Sequence, residues 1–112
     1  MLVNFIRRLF YFPLTQEKLD WFLALSLKTD TQAGISEIQH SYKWNFEHEL
    51  HNIKVPTLVV SSEFDSKLLR PATRRIHKLI QNSKLVVILK TGHLPFMENP
   101  DGYIQAIVDF VQ

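Results

Sequence analysis

From Val55 to the C-terminus the apolar positions alternate between two periods. Val55 to Ser61 (VPTLVVS) is a continuous, β-branched run, the pattern of a strand buried on both faces in a parallel sheet. Pro56 has no N–H for a ladder and belongs at the start of that strand. Ala72, Ile76, Leu79 and Ile80 then recur at i, i+4, i+7 and i+8, one apolar stripe of a helix. Pro71 sits near its first turn, where a missing N–H costs nothing, and Asn82-Ser83 ends it. Lys84 to Leu89 (KLVVIL) reads as a second buried strand. The loop Lys90 to Glu98 follows, holding Gly92 and Pro95. Asn99 is placed to cap a last helix with Pro100 at its first position and Ile104, Ile107, Val108 and Val111 on one face. This is a strand–helix–strand–helix unit, in which a helix joins two parallel strands by a right-handed crossover.

Residues 1 to 52 carry helical periodicity instead. Met1 to Phe12 is apolar around Arg7 and Arg8, a helix packed on protein, and Pro13 breaks it. Thr15 caps the next helix, with Glu17 in the first turn and Leu19, Phe22, Leu23 and Leu27 at helical spacing. Thr29 to Gly34 is read as a polar interruption. A further helical stretch then places Ile35, Ile38 and Tyr42 on one face. The chain therefore divides into a helical part, 1–52, and an α/β part, 53–112.

Composition narrows the function classes. With 46% apolar and 21% charged residues among 112, the chain is that of a globular protein. A net charge of +2 is too small to argue for a nucleic-acid partner. The basic residues Arg70, Arg74, Arg75, His77 and Lys78 read as the solvent face of their helix. Cysteine is absent, which removes disulfides and thiolate chemistry and fits a cytoplasmic setting. The order of charged and apolar residues at the N-terminus is wrong for a secretory signal, and no run reaches the ~18 apolar residues of a membrane span. His48-Glu49-x-His51 lacks the spacing of H-E-x-x-H, so no metal is expected, and no cofactor motif is present.

The chemistry lies where the two strands end. In an open parallel sheet, reactive groups gather beyond the carboxyl ends of the strands. After the first strand comes Ser62-Glu63-Phe64-Asp65, and after the second Thr91-Gly92-His93. Adjacent parallel strands lie ~4.8 Å apart, so a carboxylate and an imidazole on neighbouring loops can meet on one rim. Such a pair does base catalysis. The carboxylate holds one ring tautomer, and the other ring nitrogen takes a proton from a nucleophile.

Ile53 to Val60, then Glu63-Phe64-Asp65, then Thr91 to Pro100 (TGHLPFMENP) resemble the C-terminal part of the α/β-hydrolase superfamily. The resemblance implies Asp65 as the triad acid, with Glu63 as the alternative, and His93 as the base, 28 residues on. It implies that residues 1–52 end a helical cap, with Trp21, Phe22, Tyr42 and Trp44 lining an apolar substrate pocket; packing between helices is the competing reading of those aromatics. Ser62 stands where the family has glycine. The family's nucleophile is a serine in a G-x-S-x-G elbow. The glycines here are Gly34, Gly92 and Gly102, no two of them four apart, so the chain has no such elbow; Ser61 and Ser62 flank the acid loop.

The expected fold is thus a partial α/β-hydrolase fold with a short parallel sheet. The expected function is that of the C-terminal part of an esterase- or lactonase-like enzyme of the serine acyl-enzyme type, inactive by itself. Its parent would take a small acyl or ester substrate. The first strand would keep an open edge, so a chain supplying the N-terminal half, or self-association, is expected. The alternative is a non-catalytic interaction module that binds a partner through that edge or the cap helices.

Overall fold

The structure, a computed structural model, describes all 112 residues. Six helices, a 3₁₀ turn and two strands follow one another along the chain: α1 Leu2–Arg8, α2 Gln16–Leu27, α3 Thr31–Ser41, the turn Glu47–Asn52, β1 Thr57–Ser62, α4 Leu69–Leu79, β2 Ser83–Ile88, α5 Pro95–Glu98 and α6 Pro100–Val111. The strands pair in parallel, Thr57 opposite Ser83 through Ser62 opposite Ile88. With α4 as the connection, the architecture is the expected helical segment followed by a β-α-β-α unit.

Local chemistry accounts for the starts of three helices. The Thr15 hydroxyl accepts from the Lys18 N–H and opens α2. The Asn99 side chain accepts from the Gly102 N–H and opens α6, with Pro100 in the first turn. Asp30 caps α3 by accepting from the Ala33 N–H, so the helix starts at Thr31 and takes in Gly34. The polar stretch expected over residues 29–34 shrinks accordingly to the short link between α2 and α3. Pro95–Glu98 forms a one-turn helix where a plain loop was expected. Each strand begins and ends within two residues of its expected bounds.

The core is thin. Only 10 of 112 residues are buried, among them Ile6 of α1, Leu19 of α2, Val59 of β1, Ile80, Ile88 of β2 and Ala106 of α6. Neither strand is buried along its whole length, contrary to the reading of both as runs covered on two faces: Val87 is 39% exposed and Leu89, just past β2, 62%. The physical reason is that two strands and the helices around them leave part of the sheet uncovered. Ala72, Ile76 and Leu79 of α4 line a hollow shared with Trp44, Phe46 and Leu50.

Size scaling gives the consequence. The accessible surface is 8841 Å² for 13.2 kDa. A compact monomer of that mass exposes about 6,400 Å². The radius of gyration is 16.1 Å, against about 13 Å for a compact domain of this length. The excess, about 2,400 Å² on one chain, is more than the ~800 Å² that each partner contributes to a standard stable interface. Purified alone at micromolar concentration, the chain should therefore scatter light as a species heavier than a monomer and enhance the fluorescence of a hydrophobic dye. A monodisperse monomer that leaves the dye dark would mean that this surface is covered some other way. No helix is long and apolar enough to cross a membrane.

Candidate active site

The two strand ends are zipped together before any side chain is considered. Beyond the ladder, the Glu63 N–H donates to the Ile88 carbonyl at 3.1 Å and the Phe64 N–H to the Thr91 carbonyl at 2.9 Å. Thr91 is fully buried, and its hydroxyl donates back to the Ile88 carbonyl at 2.8 Å. The Glu63 carboxylate accepts from the Lys90 N–H at 2.8 Å. Lys90 has φ 54°, a left-handed conformation that a non-glycine residue holds only when its surroundings enforce it. Arg70 of α4 donates to the Glu63 carbonyl at 3.2 Å. The loops bearing Asp65 and His93 thus form one bonded unit.

On that unit His93 Nδ1 lies 3.1 Å from Asp65 Oδ1 and 3.3 Å from Oδ2, so a proton on Nδ1 is donated to the carboxylate. Asp65 Oδ1 also accepts from the Ser66 N–H at 2.7 Å, which orients the carboxylate. Side-chain exposure is 16% for Asp65 and 44% for His93. The carboxylate is therefore sheltered while the imidazole reaches solvent, leaving Nε2 for a further partner. The Glu63 carboxylate is engaged with the Lys90 N–H and not with the imidazole.

The four aromatic residues named from the sequence divide into two places. Trp21 and Phe22 form an edge-to-face pair, ring centroids 4.9 Å apart, and Phe22 meets Phe10 at 5.4 Å. Trp44 lies 6.4 Å from Phe46 beside α4, and Tyr42 is 87% exposed at the end of α3. The structure does not gather them round one pocket. His48 and Glu49 sit 3.5 Å apart on the exposed 3₁₀ turn.

The segment after α1 was read only as the end of a helix, yet it crosses the site. The His93 N–H donates to the Leu9 carbonyl at 2.6 Å. Glu98 Oε1 accepts from the N–H groups of Tyr11 and Phe12 at 2.7 and 2.9 Å, and Oε2 accepts from Gly92 at 2.6 Å. The Tyr11 ring stacks on Phe64, centroids 4.3 Å apart and planes 14° apart. No periodicity marks such contacts, because they join residues more than fifty positions apart.

No protein-family model matches the chain. It is similar to the proline iminopeptidase of Saccharolobus solfataricus, 32% identical over 68 residues, which is 61% of this chain and 22% of the relative. The proline iminopeptidase of Thermoplasma volcanium is likewise 32% identical over 69 residues, 62% of this chain and 23% of the relative. Among solved structures, MenH from S. aureus matches 61% of this chain and 25% of its own with TM-score 0.57 and 35% identity. A serine hydrolase involved in carbazole degradation, the CarC enzyme, matches 98% of this chain and 45% of its own with TM-score 0.70 and 19% identity, a likeness of fold. The chain spans roughly a quarter of the length of the curated relatives it matches. Sequence and fold together place this chain in relationship with the α/β-hydrolase superfamily, over part of the length of its relatives.

Proposed function

We propose that the chain supplies the acid and base of a serine-hydrolase triad, Asp65 and His93, to a site whose nucleophile lies outside these 112 residues. The carrying observation is the 3.1 Å contact of a sheltered carboxylate with a solvent-reaching imidazole, on one bonded unit beyond the strand ends. In the proposed cycle, His93 Nε2 takes the proton of a serine hydroxyl as that oxygen attacks an acyl carbonyl. The same nitrogen then protonates the leaving group, and water repeats the sequence on the acyl-enzyme. Asp65 keeps the ring in the Nδ1–H tautomer and stabilises the imidazolium. The substrate class is a small acyl compound, ester or amide, in keeping with relatives called proline iminopeptidases and a fold neighbour called a serine hydrolase. Residues 1–52 act as the cap-like part and 53–112 as part of the catalytic core. Trp21 and Phe22 are candidates to meet substrate from α2, Tyr42 and Trp44 from beyond α3.

By itself the chain has an activating base and nothing for it to activate, so the purified protein should not hydrolyse p-nitrophenyl acetate above the rate given by free imidazole. Turnover above that rate which His93→Ala abolishes would sink the requirement for a nucleophile from outside these residues. The second reading is an interaction module without catalysis. The specific observation in its favour is the excess of accessible surface, about 2,400 Å² beyond that of a compact chain, together with large apolar side chains left exposed, among them Trp21, Trp44, Phe46 and Leu89. The two part company on complementation: a stable complex with a serine-bearing partner that leaves the ester intact supports the module.

A further inference from the structure

Glu98 is the residue whose contacts the proposed chemistry leaves unused. Its half-buried carboxylate accepts three backbone N–H groups, from Tyr11, Phe12 and Gly92, at 2.6 to 2.9 Å. Two of these donors lie 86 or 87 residues away, on the strand of chain between α1 and α2. The third adjoins His93. An ionised carboxylate is acceptor-only, with two oxygens able to serve several donors, and bonds to it are among the stronger ones in proteins. Around it the contacts continue. The Leu9 carbonyl accepts from the His93 N–H, and the Tyr11 ring lies flat on Phe64, next to Asp65. Residues 9–12 therefore touch the base loop through backbone and the acid loop through an aromatic ring, and run on through Pro13 into the Thr15 cap of α2.

We infer that Glu98 is a positioning residue for the Asp65–His93 pair, clasping residues 9–12 across both loops so that the base and the cap-like helices keep one relative placement. The inference rests on reading Asp65 and His93 as the acid–base pair. Glu98 touches neither a reacting atom nor the imidazole, and it acts through the backbone of Gly92 and His93. Its chemistry demands an acceptor on both sides. A glutamine of the same shape offers one oxygen and one N–H₂, which cannot accept from both strands of chain at once.

The test uses the full chain labelled with nitrogen-15. In the wild type, the amides of Gly92, His93, Tyr11 and Phe12 should exchange with solvent as one cooperative unit. In Glu98→Gln at least two of them should exchange ten-fold faster or more. The His93 ring nitrogen shifts should also move from a single Nδ1–H tautomer toward the average of the two. Exchange at unrelated rates in the wild type overturns the clasp even if the variant fails to fold, and so does a folded Glu98→Gln with wild-type exchange and ring shifts. Asp65→Asn separates the two ideas. If it leaves the ring shifts untouched while Glu98→Gln frees the amides, the acid–base reading has failed and the clasp stands. If it moves the ring shifts while Glu98→Gln changes nothing, the reverse holds.

Discussion

Joined to a polypeptide that carries a G-x-S-x-G elbow and a glycine-rich oxyanion loop, the chain should gain hydrolysis of p-nitrophenyl acetate, and His93→Ala should lower kcat by up to ~10⁶-fold. The magnitude follows from what the imidazole does. Without it no group within reach takes the serine proton, and only binding and the oxyanion donors still accelerate the reaction. Asp65→Asn tests a different link. Asparagine preserves the volume beside Nδ1 but presents an amide that stabilises the wrong ring tautomer and no imidazolium. The expected loss is again large, ~10² to 10⁴-fold. Glu63→Gln is the discriminating control. The Glu63 carboxylate holds the Lys90 N–H and not the imidazole, so its loss should cost about 1 kcal/mol of stability and less than ~10-fold in kcat, short of the range for direct proton transfer. A Glu63→Gln loss as deep as that of Asp65→Asn would assign the acid to the wrong carboxylate.

The fold was legible in the C-terminal part because there each element announces itself by a local rule. A β-branched run led by Pro56, a stripe at helical spacing and an Asn99-Pro100 cap each depend on neighbours in sequence. The rule that places loops at the carboxyl ends of parallel strands was enough to bring Asp65 and His93 to one rim. Local rules also failed where a single residue outweighed a stretch. Asp30 starts α3 because its carboxylate satisfies the Ala33 N–H, and this outweighs the helix cost of Gly34 inside it. Burial was the least legible property. A run such as KLVVIL looks like a strand covered on both faces, but coverage is decided by what else packs on the sheet, and here Val87 stays part exposed. The aromatic residues illustrate the same gap. Adjacency in sequence keeps Trp21 and Phe22 within ring contact, 4.9 Å between centroids, but nothing in the spacing fixes where the chain carries Trp44. The clasp at Glu98 was illegible for a related reason. Its partners at Tyr11 and Phe12 are chosen by the path of the chain after folding, not by periodicity.

Gly92 is where that path leaves a mark which substitution can read. Its φ is not positive, so glycine is not required there for backbone conformation. Space requires it. A Cβ at position 92 would lie 2.6 Å from the Leu9 carbonyl oxygen, 2.9 Å from the Tyr11 nitrogen and 3.0 Å from the Phe10 carbonyl carbon. All three are backbone atoms and cannot rotate aside as a flexible side chain would. Gly92→Ala has two ways out. The loop can distort in place, which costs 1 to 3 kcal/mol or somewhat more, by the usual range for overpacking at about one methyl group. Otherwise residues 9–12 must swing away and forfeit the bonds to Glu98, about 1.5 kcal/mol or more for each bond to a charged group, together with the Tyr11–Phe64 stack. The first route is the cheaper, so a destabilisation of about 3 kcal/mol is expected. For a domain of this size that lowers the melting temperature by about 12 °C, and trypsin should cut faster at Arg7 and Arg8 because the less stable chain opens more often. Gly34→Ala supplies the opposite sign. A Cβ there meets nothing within 4 Å, and the residue lies inside α3, so alanine should stabilise by up to about 1 kcal/mol through helix propensity. Equal melting temperatures for Gly92→Ala and the wild type, with unchanged trypsin cleavage, would show that residues 9–12 do not lie against the base loop, and the clasp at Glu98 would lose its geometric basis along with them.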